Sequence, residues 1–192
     1  MVSGAVLAGG RSVRFGRNKA LENFRGMRLI DIAVESLRRR CDPVLVVANE
    51  LDLYFDLREA VLVQDVIPRQ GPLGGILTAL LFSPHDWICV KATDMPCLVP
   101  ELIDRMLEAR EGWDAVVPVL NGKYEPLLAL YHRRCCAAVA EVLEGGGRKI
   151  VEFYGKVRVR EFAEEEWRSV DPAGLSFQNV NTAEDLRRIE WS

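Results

Sequence analysis

The sequence predicts an α/β fold: a three-layer sandwich on a mostly parallel, Rossmann-like sheet, with a mixed extension towards the C-terminal end. Short apolar runs recur at 4–7, 44–48, 61–64, 87–91 and 115–117. Stretches with helical apolar spacing separate them, which is the βα rhythm of a parallel sheet covered on both faces. The first run breaks at once into Gly9-Gly10, a turn at the carboxyl end of a strand, where open α/β sheets take their ligands.

After the first strand, Leu29, Ile30, Ala33 and Leu37 mark one face of a first helix. Residues 76–81 belong to a second, opened by Gly71-Pro72-Leu73-Gly74-Gly75, and Leu102, Ile103, Met106 and Leu107 mark a third. Beyond Pro118 the pattern loosens. Asn121-Gly122 predicts a tight turn, 127–131 a strand, and 134–143 a helix stopped by Gly145-Gly146-Gly147. Residues 157–162 alternate like a strand, and 177–180 read as another before Thr182-Ala183-Glu184-Asp185, which resembles a capping box opening a last helix. Neither an internal repeat nor a linker is visible, so one domain over residues 1–192 is expected, with 145–149 as a loop over the site.

Composition narrows the function. Residues 1–40 hold nine Lys/Arg against Glu22, Asp31 and Glu35, while the whole chain carries −3 and has a pI near 5.6. A local anion site fits this asymmetry. A nucleic-acid surface, which wants a basic stripe and a high pI, does not. Five cysteines without a C-x-x-C and two distant histidines argue against zinc and against a disulfide framework, and predict reduced thiols in a cytosolic protein. No apolar run is long enough to span a membrane, and the start lacks the cationic n-region of a cleaved leader.

The chemistry concentrates at strand ends. Gly9-Gly10, followed by Arg11, Arg14, Gly16, Arg17 and Lys19, brings close-approaching backbone N–H groups and four cations to one turn, a cradle for phosphate. It matches neither G-x-x-x-x-G-K-[ST] nor G-x-G-x-x-G. Asp94, in Thr93-Asp94-Met95-Pro96, leaves the end of an apolar strand and suits either Mg²⁺, which is held by one or two carboxylates plus substrate phosphates, or a plain strand-end cap. Asp65, before the Gly71–Gly75 loop, could accept the adjacent N1–H and N2 donors of guanine or could serve as a turn residue. Asn49 ends another strand and can both donate and accept. Asn181 could give the cation a second oxygen or cap the last helix. Glu125, Arg148 and Lys149 read by default as surface charges.

Taken together, Leu7-Ala8-Gly9-Gly10-Arg11-x-x-Arg14-Phe15-Gly16-x-x-Lys19, Asn49, Asp65 with GPLGG, Thr93-Asp94-Met95-Pro96 and Asn179-Val180-Asn181-Thr182 resemble the nucleotidyltransferases of the molybdenum cofactor guanylyltransferase type, over nearly the whole chain. The resemblance implies that family's nucleotidyltransferase sheet and the use of GTP with Mg²⁺ to attach GMP to the terminal phosphate of molybdopterin, releasing pyrophosphate. It implies that Leu7, Ala8, Gly9, Gly10 and Arg11 meet the nucleotide and that Lys19 and Arg14 meet its phosphates. Asn49, Asp65, Gly71 and Gly74 fall on the nucleotide, Asp94 on nucleotide and metal, Asn181 beside the metal, and Arg148, Lys149 and Asn179 on the acceptor side. Transient contact with proteins that deliver or accept the cofactor belongs to the same expectation. LAGG, where the cytidylyl branch resembles LAAG, and the GPLGG loop favour GTP. Glu125 departs from the family, which often shows histidine before that proline.

Such a transfer needs little acid–base work, because the nucleophile is an ionised phosphate monoester and the barrier lies in bringing anions together. The scarcity of histidine fits that chemistry. A CTP- or sugar-phosphate-using transferase and a non-catalytic nucleotide-binding protein are the alternative readings.

Overall fold

The computed structural model describes residues 1–8, 18–180 and 185. The strands are β1 (Ser3–Leu7), β2 (Asn23–Phe24), β3 (Met27–Arg28), β4 (Val44–Ala48), β5 (Val61–Gln64), β6 (Trp87–Ala92), β7 (Ala115–Leu120), β8 (Lys123–Tyr124), β9 (Leu128–His132) and β10 (Val159–Phe162). The helices are α1 (Leu29–Arg38), α2 (Gly71–Phe82), α3 (Pro100–Glu108), α4 (Cys135–Glu144) and the single turn α5 (Glu164–Trp167).

The main sheet runs β10-β7-β9-β6-β1-β4-β5, with β8 paired to β7. Pairs β6/β1, β1/β4, β4/β5 and β7/β10 are parallel, and β9 alone runs against both its neighbours, β6 and β7. This is the mostly parallel sheet with a mixed extension that the sequence predicts.

Strand alternation sorts the apolar side chains into two cores. Val6, Val46, Cys89, Val116 and Leu128 pack with Ile30, Ala33 and Leu37 of α1 and Leu102, Ile103 and Met106 of α3. Ala5, Leu7, Val47, Val90 and Ala129 pack on the other face with Leu73, Ile76 and Leu80 of α2 and Val139 of α4. Helix α2 is apolar around most of its circumference because it lies between the sheet and α4.

Two tight turns follow from local chemistry. Arg25-Gly26 and Asn121-Gly122 hold φ of 52°, 84°, 51° and 72°, the left-handed pairs that close two-residue hairpins, here β2–β3 and β7–β8. The strand predicted at 177–180 is absent. Leu175–Phe177 forms a 3₁₀ turn instead, because the buried Asp171 carboxylate accepts from both Leu175 N and Ser176 N at 2.8 Å and bends the chain away from a sheet path. Phe177 then packs on the Trp167 ring, with centroids 4.8 Å apart.

The outer strand β10 is tied down by Asp114, just before β7. Its carboxylate accepts from Arg158 Nε at 3.0 Å, Arg158 N at 3.0 Å and Arg134 Nε at 2.6 Å. These bonds, the Arg158 side chain's foremost, hold the carboxyl well below the usual carboxylate range. A depressed pKa contributes stability above the unfolded value, near 3.9, and loses it as the pH falls towards the folded value. Both arginines are more than half exposed and screened by solvent. Asp114→Asn is therefore expected to cost about 1–2 kcal/mol at pH 7, with the gap to wild type closing below about pH 4 in chemical denaturation.

Candidate functional site

The carboxyl ends of β1, β4, β5 and β6 lie side by side, and the residues singled out at strand ends converge there. Asn18 opens a 3₁₀ turn, Lys19–Leu21, its Oδ1 accepting from Ala20 N at 3.0 Å. That turn aims Lys19 at the end of β6, where Lys19 Nζ donates to Asp94 Oδ2 at 3.1 Å, joining residues 75 positions apart. The Lys19 side chain is 13% exposed and that of Asp94 28%. The second carboxylate oxygen, Asp94 Oδ1, is buried with no hydrogen-bond partner, as is Asn49 Oδ1 at the end of β4. Buried oxygens without donors are costly in a finished core and are the expected state of groups awaiting a ligand.

Tyr54 clamps the two ends of the glycine-rich loop. Its hydroxyl accepts from Asn18 Nδ2 at 2.8 Å and donates to Ala8 O at 3.2 Å. Burial pushes its phenol pKa up, so it stays a donor at neutral pH. Leu7 is the last residue of β1 and Ala8 follows it, with Ala8 N donating to Val47 O at 2.9 Å. Gly9, Gly10, Arg11, Arg14 and Asn181 lie outside the described residues.

Asp65 is placed with less freedom. Its Oδ1 accepts from Thr78 Oγ1 at 2.7 Å and Ile67 N at 3.3 Å, which fixes the turn after β5 against α2. Gly71 has φ +68°, and a Cβ on Gly74 would meet Gln70 Cβ at 2.9 Å, so both glycines have structural reasons of their own. Arg148 donates to Arg69 O at 3.1 Å, bringing the 145–149 loop to this same turn. Asn179 Nδ2 donates to Phe177 O at 3.5 Å. Lys149 caps the 3₁₀ stretch Ile150–Lys156 without a side-chain bond. Val180 N donates to Asp94 O at 2.8 Å, tying the segment before Asn181 to the β6 end.

Glu125 is half-buried near the same end. Burial first, and the charge of Asp94 second, push its carboxyl above the ordinary range. Its loop is held by Tyr131, whose hydroxyl donates to Pro126 O at 2.8 Å and lies 2.9 Å from the Tyr154 hydroxyl.

The model of the MobA-like NTP transferase domain matches residues 4–159, which contain every part of this arrangement except the 177–180 segment. The chain belongs to that family. A molybdenum cofactor guanylyltransferase of Desulfosudis oleivorans is 37% identical over 191 residues, covering 98% of this chain and 94% of that protein. The crystal structure of molybdopterin-guanine dinucleotide biosynthesis protein A from Archaeoglobus fulgidus superposes with a TM-score of 0.85 at 29% identity, covering 100% of this chain and 97% of that one. The 2-C-methyl-D-erythritol 4-phosphate cytidylyltransferase of Thermus thermophilus shares the fold, with a TM-score of 0.73 at 16% identity over 97% and 96% of the two chains.

The chain is thus a nucleotidyltransferase with a mostly parallel sheet and flanking helices. No helix among the described residues is long and apolar enough to cross a membrane. Three side chains near the strand ends were absent from the sequence reading: the loop clamp Tyr54, Thr78, which fixes Asp65, and Lys91, a lysine with no exposed surface in the centre of the sheet. Only Lys91 left a readable signal, a charge inside an apolar strand.

Proposed function

We propose that the protein transfers GMP from GTP to the terminal phosphate of molybdopterin, releasing pyrophosphate and giving the guanine dinucleotide form of the cofactor. The observation that carries this reading is the contact of Lys19 with Asp94 across the strand ends, beside the orphaned Asp94 Oδ1. An acceptor phosphate oxygen attacks the α-phosphorus, and the bond from that phosphorus to the α,β-bridging oxygen breaks, so pyrophosphate leaves with the bond's electron pair. Lys19 exchanges Asp94 for the phosphates, and Arg11 and Arg14 add charge on the same loop. Asp94 holds the cation, with Asn181 as a second oxygen. That cation, Mg²⁺, screens the triphosphate when bound.

Leu7, Ala8, Gly9 and Gly10 approach the nucleotide through backbone. Asn49 supplies its unpartnered amide oxygen, and Asp65, locked by Thr78, presents a fixed carboxylate to the guanine edge above the Gly71–Gly74 turn. Arg148, Lys149 and Asn179 lie on the acceptor side. The names of the relatives, a guanylyltransferase and a molybdopterin-guanine dinucleotide protein, support the same choice of base and acceptor.

Ligand-dependent melting tests the choice of nucleotide. Near 100-fold saturation a ligand contributes about 2.7 kcal/mol, about 5–10 °C in a chain of this size. GTP with Mg²⁺ is expected to give that shift and CTP with Mg²⁺ a much smaller one. Equal shifts would remove guanine selectivity. Turnover with a molybdopterin-bearing acceptor, followed by pyrophosphate release, tests the reaction itself.

A further inference from the structure

Lys91 faces the core from β6. Its register partners are Val6 in β1 and Leu128 in β9, both in the core beneath α1 and α3, and Lys91 itself has no exposed surface. Its Nζ is buried without a hydrogen-bond partner. Three residues on, Asp94 Oδ1 is likewise buried and unpartnered. Burial lowers the lysine pKa to about 8, and the charge of Asp94 opposes that fall. A buried charge without a bonded partner is retained against a cost in stability, and nothing in the packing of the sheet calls for it.

We propose that Lys91 is a positioning residue that sets the charge around Asp94, so that divalent metal enters the site with the triphosphate and not as a bare ion. The inference rests on the nucleotidyltransferase reading above. Before ligand binds, Asp94 faces, among the described residues, two cations, the bonded Lys19 and the buried Lys91, and the half-buried Glu125 adds a further acidic charge that is felt there. A bare divalent cation meets repulsion from both ammonium groups. A metal–triphosphate complex carries net negative charge and is attracted by the same pair. Lys19, on a turn, can move onto the phosphates. Lys91, between Val6 and Leu128, stays where it is. It touches no reacting atom and acts through the field at the buried Asp94 Oδ1, where a charge is screened less than in bulk water.

The test measures bare Mn²⁺ binding by electron paramagnetic resonance and metal-free GTP binding by fluorescence of a labelled analogue, in wild type and in Lys91→Met. Removing the charge while keeping the volume is expected to tighten Mn²⁺ by about tenfold and to weaken metal-free GTP by about tenfold. A merely structural role would weaken both. Loss of both, or no change in either, overturns the proposal. Lys91→Gln carries the same comparison if the methionine variant does not fold. In wild type, about 1 mM Mn²⁺ alone should leave the melting temperature unmoved, and a shift as large as that given by GTP with Mn²⁺ also overturns it. If GTP fails to bind wild type in any form, the functional reading falls and takes this inference with it. If GTP binds and the lysine variants change neither affinity, only the role of Lys91 falls.

Discussion

Asp94→Ala will lower pyrophosphate release by about 10³-fold or more while the protein remains folded. The turn that carries Asp94 is fixed by groups other than its carboxylate. Met95 is buried, Pro96 restricts the chain, and the bond from Val180 N goes to the Asp94 carbonyl, which alanine keeps. Truncation removes one partly exposed ion pair with Lys19 and one buried oxygen that has no donor. Losing the first costs little, losing the second relieves a penalty, and the buried Lys91 loses an opposite charge, so the net change in melting temperature should stay within about 4 °C of wild type. Turnover has no such compensation, because the carboxylate is the anionic ligand proposed for the metal at the strand ends. A steady-state assay beside a thermal melt separates the effects. Normal turnover would take Asp94 out of the mechanism, and a matching collapse of the fold would make its role structural.

The strand-end positions of Asn49, Asp65 and Asp94 were legible because each follows a short, mainly apolar run, and such runs in a parallel sheet end on the ligand side. The observed strands β4 (Val44–Ala48) and β5 (Val61–Gln64) coincide with their runs. Helix α2 starts at Gly71, where the sequence opens it with Gly71-Pro72, and proline fits the first helical turn. The 177–180 segment misled because alternation over four residues is weak, and the Asp171 carboxylate, six residues before Phe177, decides the backbone path. Tyr54 was illegible for a different reason. Its partners, Asn18 and Ala8, lie 36 and 46 positions away, a closure that only the folded chain creates. Lys91 shows in the sequence only as a charge inside an apolar strand, and its burial does not. In the fold Val6 of β1 and Leu128 of β9 flank it in register, and it has no exposed surface.

Lys19→Met should reduce kcat/KM for GTP by about 10²–10³-fold, the usual effect of losing one preorganised charge on a developing anion. The more informative result comes from combining it with Asp94→Ala. If both side chains act on one triphosphate, the second substitution removes an interaction the first has already disabled, and the double variant should lose far less than the product of the two single losses. Stability adds an independent comparison. Lys19→Met strands the Asp94 carboxylate, whose Oδ1 is already unpartnered, with no bonded cation among the described residues, whereas the double variant has no carboxylate left to strand. The double variant should therefore melt above Lys19→Met alone. Multiplicative losses in turnover, with additive changes in melting, would mean that the 3.1 Å contact is incidental and that the two residues serve separate ends.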